Sequence, residues 1–180
     1  MTQALVLYAS THGHTARIAT RVALDLERAG IATDLRQADG KLDYSPADYD
    51  LVVVGASIHA GRHQRSVADW VSRHAAILSS MPSGFFSVCL GTLEDPAVGQ
   101  RYVDEFVERT GWLPRRTVDL AGAIQYRAYG RATRIMIKLM MRRGGHPTDT
   151  SRNYDYTDWQ AVDDFATDCA QLLPAATAAA

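Results

Sequence analysis

The 180 residues are enough for one domain with a continuous core, and 47% hydrophobic with 22% charged residues excludes a disordered chain. Two cysteines, Cys89 and Cys169, lie far apart in apolar runs without a CxxC pair. That excludes a disulfide-stapled scaffold and a cysteine zinc site, and the pattern reads as two buried, reduced thiols of a cytoplasmic protein. Net charge is −1, yet Arg115 to Arg143 holds eight basic residues against one acid, Asp119, so +7 sits there and −8 on the rest.

Residues 4–9 form a short, nearly continuous apolar run, as a strand buried on both faces requires. No basic, apolar leader precedes it, and no apolar run is long enough to span a bilayer, so any membrane contact is expected from the cytoplasmic surface. Helical spacing follows over 14–29, with Ile18, Val22 and Leu26 on one stripe and Gly30 at the stop. Strands are predicted at 32–37, 51–56, 84–90 and 117–121, and helices at 67–78 and 98–109, the latter with Val103, Phe106 and Val107 inward. The last helix is predicted to start at Thr157, where Thr157 and Gln160 have capping-box spacing. Val162, Phe165, Ala166, Cys169 and Leu173 give it a buried stripe, and Pro174 ends it.

Strands alternating with helices predict an α/β fold: a doubly wound, five-stranded parallel sheet of order 2-1-3-4-5 with helices on both faces. Residues 1–173 read as one domain and 174–180 as a frayed tail. The span 122–156 is too long for a connection and reads as a basic helical insertion, placed once the fifth strand has begun.

Ser10-Thr11-His12-Gly13-His14-Thr15 joins the first strand to the first helix. Free N–H groups and the helix dipole favour an anion there, and Gly13 allows close backbone approach. The lysine of GxxxxGK[ST] and the glycines of GxGxxG are missing, so neither a nucleoside triphosphate loop nor a dinucleotide loop is indicated. A neutral, hydroxyl-rich cradle suits a terminal monophosphate; a tight turn with a simple helix cap is the alternative. The segments after the third and fourth strands, Ala56-Ser57-Ile58-His59-Ala60-Gly61 and Leu90-Gly91-Thr92, flank the same crevice and are also rich in small and hydroxyl side chains.

The phosphate loop resembles the [ST]-x-T-G-x-T fingerprint of the flavodoxins. Nearly the whole chain resembles one branch of that superfamily, the menaquinone-dependent protoporphyrinogen IX dehydrogenases. The stretches that carry this are Val54-Gly55-Ala56-Ser57-Ile58, Met81-Pro82-Ser83 with Phe86-Ser87-Val88, and Ala121-Gly122-Ala123. They continue with Met136-Ile137-Lys138-Leu139, Gly144-Gly145, Thr148-Asp149-Thr150 and Tyr156-Thr157-Asp158-Trp159. The late motifs are the more telling, because ordinary flavodoxins lack this insertion.

The resemblance implies a flavodoxin-like fold, FMN held by the three segments above, oxidation of protoporphyrinogen IX to protoporphyrin IX, and electrons passed to menaquinone or another quinone. A flavodoxin electron carrier without a small-molecule substrate is the alternative. The flavin carries the chemistry, and His59 is the only candidate for a general base. Where that branch offers an aromatic near the flavin, this chain has His59-Ala60-Gly61, so either His59 covers the flavin face or that face is more open.

Arg127, Arg131, Arg134, Lys138 and Arg142 recur at three- or four-residue steps, with Ile135, Met136, Leu139 and Met140 as the apolar remainder. Such a helix can pack on ordinary core, lie on an anionic membrane surface, or grip a flat ligand. The resemblance gives the cations two partners, the propionates of the porphyrinogen and an anionic membrane. The protein is then peripheral at the inner face of the cell membrane. A homo-oligomer is allowed, no nucleic-acid partner is expected, and no metal site is expected of His59 and His63.

Overall fold

The computed structural model describes residues 2–39 and 44–174. Its elements in chain order are β1 (Gln3–Tyr8), α1 (His14–Arg28), β2 (Ala32–Gln37), β3 (Leu51–His59), β4 (Arg62–His63), α2 (Arg65–Ser80) and β5 (Ser83–Val88). They continue with α3 (Pro96–Thr110), β6 (Arg116–Leu120), β7 (Ala123–Ile124), α4 (Arg131–Arg143), β8 (Tyr154–Asp155) and α5 (Trp159–Ala170). Five strands pair in parallel in the order β2-β1-β3-β5-β6, which is the predicted 2-1-3-4-5 arrangement.

The period of two along each strand divides the apolar residues between two cores. Ala4, Val6, Leu51, Val53, Phe86 and Val88 meet α1 and α5 through Ile18, Val22, Leu26, Val162, Phe165 and Cys169. Leu5, Leu7, Val52, Val54 and Phe85 meet α2 and α3 through Val67, Trp70, Val71, Val103 and Phe106. Burial pushes the Cys169 thiol up to about 12, so it stays protonated. Gly55 is required by close approach, since a Cβ there would overlap the Phe86 ring.

Two differences from the sequence reading bear on the site. β3 runs on through His59, so Ser57 to His59 belong to a strand and not to a loop. Ala60 (φ 49°) and Gly61 (φ 78°) then turn the chain back into β4 as a tight hairpin, both in the left-handed region. The cap of α5 is Asp158, which accepts from the Ala161 N–H; Thr157 is not the cap. Its hydroxyl has been recruited by His14, 2.6 Å from the ring Nε2. The insertion follows the completed β6, as the predicted bounds 117–121 and 122–156 have it. Residues 175–180 of the predicted tail lie outside the described residues.

The insertion has a core of its own. β7 and β8 pair antiparallel, and Ile124, Tyr126 and Met141 are buried with Leu90, Leu93, Tyr129, Ile137, Met140, Tyr154 and Tyr156 around them. Its ends meet: the Tyr156 N–H donates to the Gly122 carbonyl at 2.9 Å. A short Gly/Ser link from Gly122 to Tyr156 should therefore replace residues 123–155 without opening the two main cores. Chemical denaturation is expected to keep one cooperative transition at a cost of about 1–2 kcal/mol, mostly from the loss of Asp155, which pairs with His14 and Arg17. Loss of the cooperative transition would place the insertion in the main core.

Candidate functional site

A cleft of about 520 Å³ opens at the carboxyl ends of the strands, beside the point where the chain leaves β1 and β3 in opposite directions. Its floor is Ser10, His12, His14 and Thr15; one side is Ser57, Ile58, His59 and Ala60; Val88 and Leu90 close the end of β5. Nine of the predicted binding residues therefore line it. Thr11, Gly13, Ala56, Gly61, Gly91 and Thr92 do not. Ala56 points into the α2/α3 core and Gly61 sits in the hairpin turn.

The start of α1 keeps its backbone donors and its dipole uncommitted. Gly13 is left-handed (φ 88°), which turns the chain sharply into the helix, and its N–H donates to Ser10 Oγ at 3.0 Å. Arg17 is the first residue to return to a loop carbonyl, that of Gly13. The N–H groups before it have no acceptor within the helix. No side chain caps this terminus and its first turn carries no acid. The helix dipole is left for whatever binds.

His14 is 6% exposed and joins this turn to the insertion's return path. Its Nε2 lies 2.6 Å from Thr157 Oγ1 and 3.6 Å from Asp155, and Arg17 pairs with the same carboxylate at 3.3 Å. Burial pushes the His14 pKa down, against the pull of Asp155. Burial likewise pushes Asp155 up, but hydrogen bonds from Thr157 together with His14 and Arg17 outweigh it and hold the carboxyl below its usual range.

The far wall was not legible in the sequence. Ala121, Ala123, Gln125, Tyr129, Thr133, Met136 and Ile137 face the cleft, so the insertion forms part of the site. Tyr129 meets His12 edge-on at 5.0 Å, and His12 meets His59 at 5.7 Å. Burial, then the neighbouring His12, lowers the His59 pKa and favours a neutral ring. Gln64 fixes the β3 end: its Oε1 accepts from the Ser57 N–H at 2.9 Å and its Nε2 donates to Ser57 Oγ at 2.7 Å.

None of the five predicted cations lines the cleft. The Arg127 guanidinium donates to the Ser151 carbonyl, and that of Arg134 to the carbonyls of Tyr126 and Tyr129, tying the insertion together. Arg131, Lys138 and Arg142 stand exposed on α4. The apolar remainder is not opposite them, because Ile135, Met136 and Leu139 also face solvent while Met141 is the buried residue. His59 and His63 do not converge: His59 lines the cleft, whereas His63 is buried between Phe85 and Phe106 with Nε2 2.9 Å from Ser87 Oγ. Among the described residues no three His, Cys, Asp or Glu side chains gather in a way that could hold a metal.

Residues 5–151 match a family model described as a flavodoxin domain. The protoporphyrinogen IX dehydrogenase [quinone] of Escherichia coli K12 is 36% identical over 93% of this chain and 94% of its own length. A protein of the same name from Leishmania major is 35% identical over 93% of this chain and 74% of its own. Flavodoxin 1 of Bacillus cereus superposes with a TM-score of 0.57 at 14% identity, covering 96% of this chain and all of that one. That last likeness is one of fold.

The buried His63 makes a test of the packing beneath the site. Burial, then the charge of Arg109, lowers its pKa from 6.5 to about 4. The unfolded chain binds a proton below 6.5 that the folded chain refuses until about 4. Stability is thus whole above pH 6.5 and falls as pH drops through that window, at up to about 1.4 kcal/mol per pH unit. In urea titrations from pH 7 to pH 4, His63→Gln should flatten this decline. A variant with the parent slope would show that another group controls it.

Proposed function

We propose that this chain, which belongs to the flavodoxin domain family and groups with the protoporphyrinogen IX dehydrogenases [quinone], is an FMN-dependent oxidoreductase. Its reaction is the oxidation of protoporphyrinogen IX to protoporphyrin IX, with the electrons passed to a membrane quinone at the inner face of the cell membrane. The observation that carries this reading is the composite cleft. A phosphate cradle on the parallel sheet faces a wall that the insertion alone supplies.

The residues present fit FMN. The uncapped first turn of α1 offers backbone donors, Ser10 and Thr15 add hydroxyls, and left-handed Gly13 shapes the loop around them. The first turn itself carries no acid, and Asp155 nearby is paired with His14 and Arg17. The cleft volume is that of a site for a ligand of this size. Bound FMN would supply the two-electron acceptor, used three times per porphyrinogen. The chain's part is to hold and shield. Gln64 fixes Ser57 and with it the β3 end; Tyr129, Met136 and Ile137 give a large apolar ring a surface and exclude water. His59, kept neutral by burial, is the side chain we assign as proton acceptor. Arg131, Lys138 and Arg142, on the helix that forms this wall, give it the positive potential that draws in two propionates. No helix among the described residues is long and apolar enough to cross a membrane.

An electron carrier of the same fold would need the cradle but no substrate wall. The two readings separate when FMN-loaded protein is mixed anaerobically with protoporphyrinogen IX. Bleaching of the flavin band at a rate that saturates with porphyrinogen is expected; an unbleached band leaves the carrier.

The cradle has its own test. Thr15→Glu sets a carboxylate against the phosphate position at the helix start, where like charge replaces a favourable dipole. Purified protein should lose its yellow colour, with FMN affinity down by about tenfold or more, as each 1.4 kcal/mol is a factor of ten. Retention of one FMN per chain would mean that the phosphate binds elsewhere.

A further inference from the structure

Helix α4 turns three large apolar side chains to water: Ile135, Met136 and Leu139 are 69, 62 and 51% exposed. The other four exposed large hydrophobics, Leu24, Tyr44, Ile77 and Leu113, are scattered over separate segments. At 3.6 residues per turn, Ile135, Leu139, Ala132 and Met136 follow one another around the solvent side of the helix. Lys138, Arg131 and Arg142 run along one border of that stripe, and Arg143 stands at its carboxyl-terminal end. None of these four cations pairs with an acid among the described residues, and α4 itself holds no acid. The other border is the cleft: Met136 is at once part of the exposed stripe and, with Thr133 and Ile137, part of the cleft wall.

The arrangement selects its partner by charge. A second copy pairing through the same helix would press four cations against four, with no acid on either helix to relieve them. An anionic bilayer presents the opposite charge at its surface and an apolar layer just beneath, in the order in which the helix carries its own groups. The patch cannot serve the fold, because the side of α4 that packs on the protein is already filled by Ile137, Met140 and Met141.

We propose that α4 lies in the interfacial plane of an anionic membrane, with Ile135, Leu139 and Met136 among the acyl chains and Arg131, Lys138, Arg142 and Arg143 on the headgroup phosphates. In that pose the cleft meets the lipid on its Met136 side. This deepens the oxidoreductase reading and rests on it in one respect only: a quinone dissolved in the bilayer reaches the cleft past Met136 without entering water. The docking itself needs no substrate.

The test uses the full-length protein and vesicles of phosphatidylcholine with or without phosphatidylglycerol. At low salt the protein is expected to co-sediment with the anionic vesicles and not the neutral ones, and to detach as salt shortens the screening length toward ~8 Å. Arg131→Glu with Arg142→Glu, and separately Ile135→Ser with Leu139→Ser, should each weaken binding about tenfold while leaving the thermal midpoint unchanged. An environment-sensitive fluorophore on Leu139→Cys should shift to the blue on anionic vesicles, and the same label on Asp104→Cys, on the exposed side of α3, should not. Equal binding to both vesicle types, undiminished binding by the Ile135/Leu139 variant, or equal shifts at both labels would overturn the docking. Porphyrinogen bleaching in vesicle-free buffer reads the enzyme function separately, so docking and function can fail independently.

Discussion

The parallel ladder at the centre of the sheet constrains everything else. β3 has β1 on one side and β5 on the other, and Leu51 to Val54 are wholly buried between two helical layers. Their backbone groups can be satisfied only by neighbouring strands, so the chain must return over one face or the other after each strand. The crossover through α1 leads outward to β2, whereas β3 continues on the opposite side of β1. The connections leaving the carboxyl ends of β1 and β3 therefore part, and a crevice opens between them that no packing choice can close. The loop from Ser10 to Thr15 and the β3 hairpin occupy its two sides because of that topology.

Onto this crevice the insertion adds a wall, and two contacts register it. At the floor, His14 meets Thr157 and Asp155, so the first turn of α1 and the return of the insertion are positioned together. At the rim, Tyr129 braces His12, which braces His59. The loop that would grip a phosphate is thus shared between the sheet and the insertion. A displacement of the wall is felt at both ends of the cleft, which couples what happens on the wall to the geometry of the cradle.

The sheet and the sharp turn at Gly13 could be read in the sequence because both rest on local signals. Apolar strands of fixed period and a Gly-containing loop between a strand and a helix need only their neighbours to be recognised. The errors occur where distant groups compete. Thr157 and Asp158 are both good caps, and the choice is made by His14, more than a hundred residues away. The β3 hairpin was missed because Ala60 has no intrinsic preference for the left-handed turn it adopts. In α4, cations and apolar residues interleave, so periodicity predicts the helix but not the side that meets the protein. The actual inner side is chosen by Tyr126, Tyr129 and Leu90, which no spacing within the helix reveals. Gln64, a lone polar residue before a helix, carries no motif at all, yet it fixes Ser57 through two hydrogen bonds.

The uneven distribution of packing across the molecule bears on how a large ligand enters. Each face of the sheet buries a broad apolar cluster, whereas the insertion buries only Ile124, Tyr126 and Met141 completely. Local opening free energy follows buried apolar area, so the insertion is the segment that opens most readily while the sheet stays closed. Its attachments differ in kind. The Tyr156–Gly122 hydrogen bond and the His14 contacts pin the base, while the helix above is held by side-chain packing on Leu90 and Leu93. The base of the insertion is thus hydrogen-bonded to the sheet side, whereas Tyr129 and Met136 in the outer wall rest on contacts within the insertion and, for Tyr129, on the His12 ring. On the reading proposed above, a flat cofactor held by its phosphate on α1 would keep its register while a bulkier ring was admitted over it. On that reading, a firmly packed sheet under a thinly packed wall would suit two-electron chemistry on a large macrocycle, because the reacting faces would have to meet closely in every round and the product would still have to leave.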